Sequence, residues 1–187
     1  MQTKKKVNIA HELRFNVSQL LKEVTGGTRD YNIFVDSIKQ LDDIQLDESL
    51  SGRVHFLRTG PDVLVTGDLH TTIRRECGRC LTVFTAPISI ELEELFYPTI
   101  DLLSGNALPA PEDADEATRI DELHTLDLYE VVRQAIVLES ESSRYCRPDC
   151  KGLCPVCGQD RNINPCTCQD DSVDVRWSGL LEVEIEE

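Results

Sequence analysis

The stretch Asp149 to Cys168, DCKGLCPVCGQDRNINPCTC, holds five of the chain's eight cysteines. The other three are Cys77 and Cys80, in CGRC, and Cys146, shortly before the stretch. Thiols this dense can close disulfides, exchange electrons or ligate a metal. Thiol exchange wants a C-x2-C pair at a helix N-terminus, where the helix field lowers the thiolate pKa. Cys77 and Cys80 follow a strand pattern instead, and Cys154 and Cys157 sit among other sulfurs. Iron-sulfur binding fits poorly, because the spacing departs from the compact ferredoxin run. Metal ligation of the zinc type fits best: a C-x2-C turn presents two sulfurs to one ion, and four thiolates complete a closed tetrahedral site.

Spacing suggests a partition into two sets of four. Cys154, Cys157, Cys166 and Cys168 form C-x2-C-x8-C-x-C, a set that closes locally, although the one-residue gap between Cys166 and Cys168 is tight for chelation. The remaining set joins Cys77 and Cys80, at the end of a strand, to Cys146 and Cys150, after a helix. One or two Zn2+ ions are expected, and the second set would clip the tail to the sheet, so that metal binding also holds the fold together.

The elements that must position these sulfurs are legible as patterns. A strand at Val7 to Leu13 and a helix after it are expected, with Asn16 and Gln19 as a capping box, Phe15 and Leu20 as a staple, and Gly26-Gly27 as the stop. Tyr31 to Val35 reads as a short strand. Val54 and Phe56 share a face of the next, and a turn at Thr59 to Asp62 leads into a strand with Val63, Val65, Gly67, Leu69, Thr71 and Ile73 on one side. Ile88, Ile90 and Leu92 alternate with Ser89, Glu91 and Glu93, which marks a third strand with one face in water. The three strands form a meander able to bury its other face against the N-terminal helix. Residues from about 98 to 118 are proline-rich and acidic and read as a flexible loop. Asp127 to about Glu139 is an amphipathic helix, capped by Asp127 and Glu130, with Leu128, Val131, Val132, Ala135 and Leu138 on its apolar stripe. Trp177, Leu180, Leu181 and Val183 offer packing groups near the end of the sequence. The fold class is α+β: an antiparallel β-sheet with a few packed helices and a cysteine-rich, zinc-ribbon-like tail.

Charge narrows the function. The formal net charge is −15, and it is uneven: residues 1 to 80 hold 12 Lys or Arg against 11 Asp or Glu, whereas residues 81 to 187 hold 7 against 23. Such a surface repels phosphate backbones at long range, so there is no general footprint for nucleic-acid binding. Local basic spots remain at Lys4, Lys5 and Lys6 and at Arg74, Arg75 and Arg79, the second trio being candidates for contact with RNA phosphate. No run approaches the roughly 18 apolar residues of a membrane span, and the opening residues lack the apolar core of a secretory signal. The expected address is the cytoplasm, a reducing compartment that favours metal binding over disulfides.

No catalytic constellation emerges. His11, His55, His70 and His124 are scattered, with His55 and His70 on neighbouring strands, and there is no phosphate-binding glycine loop and no nucleophile elbow. Eight thiolates suggest closed metal sites, whereas a catalytic zinc keeps a position open. The chain is therefore read as a non-enzyme without a small-molecule substrate.

Two motifs, CGRCLTVF from Cys77 to Phe84 and CRPDCKGLCPVCGQDRNINPCTC from Cys146 to Cys168, resemble those of the YceD family, the large ribosomal RNA subunit accumulation proteins. GDLHTTIRREC before the first motif and ISIELEELFY after it look like the family core. The resemblance runs from about Leu50 to Trp177. The very acidic segment Glu112 to Glu122 departs from it and weighs against simple coating of RNA. The resemblance implies a YceD-like α+β domain over residues 1–142 and a zinc-binding tail over 143–187. It also implies support for accumulation or processing of large-subunit (23S) ribosomal RNA, through a ribosomal protein, a large-subunit assembly intermediate or the RNA itself, with no membrane partner. It brings no catalytic residue with it.

Overall fold

Period-two burial sets the architecture. The computed structural model describes residues 12–36, 44–109, 111–112, 114–142, 144–168 and 176. Strands β2 (Thr28–Val35), β3 (Leu50–Thr59), β4 (Asp62–Glu76) and β5 (Val83–Pro98) form an antiparallel meander, and the short β6 (Arg119–Ile120) adds to β5 in parallel. On one face Ile33, Val35, Val54, Phe56, Val63, Val65, Leu69, Ile73, Ile88, Ile90 and Phe96 are buried. On the other, Asp30, Asp68, Glu91 and Glu93 stand in water. The β3–β4 turn is the two residues Gly60-Pro61, with Thr59 opposite Asp62.

A second layer covers the apolar face. Strand β1 (Arg14–Asn16) pairs antiparallel with β7 (Thr125–Asp127), and helices α1 (Ser18–Lys22) and α2 (Tyr129–Ser142) flank that ribbon in sequence. Leu20 and Leu21 of α1 and Val131, Val132 and Ile136 of α2 enter the same core. Phe15 closes on Tyr31 and Phe56, with ring centroids 4.6 and 5.2 Å away. Both helices are thus needed to cover a face that the sequence pattern assigns to the N-terminal helix alone. The class is α+β.

Several local expectations shift. Of the strand expected at Val7 to Leu13, residues 7–11 lie outside the described residues, and the strand that is present starts at Arg14. Val17 rather than Asn16 is the N-cap of α1, but Asn16 Oδ1 still accepts from the Ser18 amide at 3.1 Å and from the Ser18 hydroxyl at 2.6 Å. At α2, Asp127 Oδ1 accepts from the Tyr129 amide at 2.9 Å, while Glu130 turns to Arg133 and Gln134 instead of reaching back. Leu138 is 74 % exposed, whereas Ile136 is fully buried. At 3.6 residues per turn Ile136 and Leu138 fall on opposite edges of the stripe centred on Leu128, and the edge shared by Val132 and Ile136 is the buried one.

Within the acidic segment Thr99 to Leu108 is closed by hydrogen bonds: Leu108 N donates to Thr99 O at 2.9 Å, and Asp101 Oδ1 accepts from the Ser104 amide at 2.7 Å. Trp177, Leu180, Leu181, Val183 and Lys4 to Lys6 lie outside the described residues. Among the described residues no helix is long and apolar enough to cross a membrane.

Candidate metal centres

The last ladder pair between β4 and β5 is Glu76 with Val83, so Cys77 to Thr82 is the hairpin loop itself. Cys77 N donates to Thr82 O at 3.0 Å, and Leu81 N donates to Cys77 O at 2.9 Å. The second pair repeats this bonding residue for residue: Cys154 N to Gln159 O at 2.8 Å, Gly158 N to Cys154 O at 2.8 Å. Both loops require a left-handed residue directly after the second cysteine. Gly158 fills it at φ +74°, and Leu81 at φ +60°. Glycine takes that conformation without penalty, while a residue with a β-carbon does not. Gly78 lies inside the first pair and Gly158 after the second, yet the two knuckles share one backbone plan.

The eight sulfurs gather into two groups, Cys77 with Cys80, Cys146 and Cys150, and Cys154 with Cys157, Cys166 and Cys168, the four Sγ atoms of each lying within 4.8 Å of one another. Every expected ligand is brought into a group, and the narrow C-x-C pair reaches a common centre. Cys77 Sγ is 3.9 Å from Cys150 Sγ, and Cys80 Sγ is 3.7 Å from Cys146 Sγ. A disulfide needs about 2.05 Å. Four sulfurs at about 2.3 Å from a common ion, at tetrahedral angles, stand about 3.8 Å apart. The first group therefore has the dimensions of a metal-thiolate tetrahedron.

Electrostatics agree with the geometry. Burial opposes ionisation of Cys77, but amide groups of Cys146, Cys80 and Arg79 outweigh it and bring the thiol down to about 6. Cys154 is likewise lowered to about 6, first by the Cys157 amide. Cys146 is pushed up to about 12 by burial and then by its neighbour sulfurs, and Cys168 to about 12 by Cys157 and then by burial. Crowded sulfurs deprotonate together only when a cation offsets their mutual repulsion. Each group can hold a metal ion, with all four positions supplied by sulfur.

The first group spans the fold. Its knuckle ends the central hairpin, and Cys146 and Cys150 follow α2, whose exit is tied to the same loop by Gly78 N donating to Arg144 O at 3.0 Å. Three residues that sequence patterns did not single out support the sulfurs. Asn162 Nδ2 donates to Cys150 Sγ at 3.5 Å, Arg161 Nη2 donates to Cys154 Sγ at 3.5 Å, and Tyr145 carries the Arg79 guanidinium on its ring. Asn and Arg in a polar loop leave no periodic signal, and their roles depend on which way the turn aims them.

The arginine trio is divided by its surroundings. Arg74 is ion-paired with Asp47. Arg79 stacks on Tyr145, its Cζ 3.8 Å from the centroid, and Nη1 donates to Cys150 O at 3.1 Å. Arg75 is half-buried, and its Nε and Nη1 find no hydrogen-bond partner among the described residues. It lines a cleft of about 160 Å³ with Ile44, Ile73, Ile136 and Ser140. The histidines are not a pair: His55 Nδ1 lies 2.9 Å from Asp30, and His70 Nδ1 lies 3.2 Å from Ser89.

Comparison with known proteins follows the same residues. Uncharacterised proteins of Mycobacterium bovis and Mycobacterium tuberculosis are each 36 % identical over 122 residues, covering 65 % of this chain and 55 % of theirs. One from Mycobacterium leprae is 32 % identical over 123 residues, 65 % of this chain and 53 % of its own. The chain thus matches about half the length of these curated relatives. No solved structure matches it. The family described as large ribosomal RNA subunit accumulation protein YceD matches residues 65–183, a span that includes both knuckles and all eight cysteines. The chain belongs to the YceD family.

Proposed function

We propose that this protein is a non-enzymatic, cytoplasmic factor that supports accumulation or processing of large-subunit (23S) ribosomal RNA by docking a basic ribosomal protein or a large-subunit assembly intermediate. In this reading the two cysteine groups hold Zn2+, and the tail from residue 143 is clipped onto the domain that precedes it. The family supplies the ribosomal context. All-sulfur donor sets favour zinc in a closed structural role, and no fourth position is left for a catalytic water.

The observation that carries the protein-contact reading is the uncovered side of the sheet. Asp68 on β4 stands directly opposite Glu91 on β5, with Glu93 one step along the same face, so that three exposed carboxylates share this side with one neighbouring exposed cation, Arg53 on β3. Like charges directly opposite one another are unfavourable in isolation. A basic partner relieves that repulsion and gains on-rate from the complementary field. Two of the three candidate RNA contacts, Arg74 and Arg79, are meanwhile occupied within the protein. The experiment is affinity capture of the full chain from growing cells, with co-purifying protein and RNA identified before and after nuclease treatment. Retention of a basic large-subunit protein after nuclease supports the reading; loss of every partner with the RNA refutes it.

A second reading is direct RNA contact through Arg74, Arg75 and Arg79, in which Arg75 would have to turn outward, since its Nε and Nη1 are buried without a hydrogen-bond partner among the described residues. It requires binding that falls steeply with salt and is lost in Arg75→Glu.

A further inference from the structure

The two cysteine groups touch through more than chain connectivity. Arg79, inside the first knuckle, accepts at its carbonyl from Leu153 N at 2.9 Å, and Leu153 immediately precedes Cys154. A β-carbon on Gly152 would stand 2.9 Å from Arg79 O, so the backbones of the two loops meet directly there. In the opposite direction, Asn162 lies in the turn that joins Cys157 to Cys166, yet its Nδ2 donates to Cys150 Sγ of the first group at 3.5 Å. Its Oδ1 accepts from Lys151 N at 2.9 Å and from Arg147 Nη2 at 2.8 Å, which holds the segment carrying Cys150. The turn is fixed from within by Asn162 Nδ2 to Asp160 Oδ1 at 2.7 Å, and by Arg161, which donates from N to Gly152 O at 3.0 Å and from Nη2 to Cys154 Sγ at 3.5 Å.

From this arrangement we infer that Asn162 couples metal loading at the two centres, so that the chain takes up and releases its two ions together. Closing the Cys154 group orders the turn and seats Asn162 on the Cys150 sulfur, where its N–H stabilises the thiolate as a ligand. Cys150 ligation in turn orders the segment that Asn162 grips. Coupling of this kind is reciprocal, so each centre raises the affinity of the other by the same factor. The inference rests on the reading of both groups as metal centres, and its test reads metal rather than ribosomal RNA.

Zinc-loaded full-length protein is titrated with EDTA and followed by native mass spectrometry, with alkylation mapping to show which cysteines each species exposes. The wild type is expected to pass from two zinc ions to none with little one-zinc species. Asn162→Ala keeps all eight ligands and should lose zinc first from the Cys77 group, whose affinity falls about tenfold to a hundredfold. Cys157→Ser disables the other centre and should weaken the Cys77 group by a similar factor, which keeps the test sound if Asn162→Ala misfolds. A dominant one-zinc species in the wild type, or unchanged zinc retention by the Cys77 group in both variants, overturns the coupling while leaving the metal centres standing. A wild-type chain that binds no zinc overturns both.

Discussion

The guanidinium of Arg79 lies 3.8 Å from the ring centroid of Tyr145, and Nη1 of the same group donates to the carbonyls of Cys150 and Pro148 at 3.1 and 3.4 Å. One side chain from the β4–β5 hairpin loop thus stitches three points of the cysteine-rich segment. Its guanidinium is laid along that segment, while the residue itself stays exposed. A stacked, hydrogen-bonded arginine of this kind is worth about 1–2 kcal/mol. Arg79→Ala should lower stability to chemical denaturation by that amount, whereas Arg74→Ala, which removes an exposed ion pair, should change it by less than about 1 kcal/mol. Equal, negligible effects would show that these contacts do not hold the segment in place.

The shared knuckle plan makes opposite predictions at equivalent positions. Leu81 occupies the left-handed position at φ +60°, where a β-carbon is disfavoured by about 1–2 kcal/mol. Leu81→Gly should therefore stabilise the zinc-loaded protein by about 0.5–1 kcal/mol, after allowing for the greater freedom of glycine in the unfolded chain. Gly158→Ala should destabilise by about 1 kcal/mol. Denaturant midpoints of the two variants at saturating zinc check both signs.

Helix α2 offers a test of phase. Ile136 is fully buried and Leu138 is 74 % exposed. Ile136→Ala should cost about 2–5 kcal/mol, and Leu138→Ala no more than about 0.5 kcal/mol. Thermal or urea unfolding of the two variants separates them clearly, and reversed magnitudes would mean that the helix is rotated from the position described.

Asp68 and Glu91 face each other across β4 and β5, while Arg53 stands opposite Asp68 on β3. Glu91→Lys replaces repulsion with attraction and should raise stability by a few tenths of a kcal/mol, an effect that shrinks in high salt. The same substitution should reduce capture of a basic ribosomal protein. A variant that is more stable and still captures its partner fully would show that the acidic side of the sheet is not the contact surface.

Much of this was legible beforehand, for identifiable reasons. Period-two burial made the hairpin from Val54 to Ile73 readable, since a one-residue slip would put the apolar set of β4 in water. Pair spacing made the sulfur sets readable, because C-x2-C on a turn permits few alternatives. What escaped depends on direction rather than pattern. Asn162 and Arg161 act through the aim of one turn, and Leu81 sits at a position whose φ is dictated by the loop, not by its own preference. Leu138 is hydrophobic and fits the apolar stripe by type, but the helix turns it away. The candidate RNA contacts stand out in the sequence only as charges, and spacing does not reveal that Asp47 and Tyr145 come to meet two of them.

Metal content tests the account most directly. Protein purified without added zinc or chelator and measured by elemental analysis should carry two zinc ions per chain, and removing them should expose residues 144–168 to amide hydrogen exchange while the β2–β5 sheet stays protected. A chain that comes out free of metal and keeps the same exchange protection in the presence of chelator would contradict it.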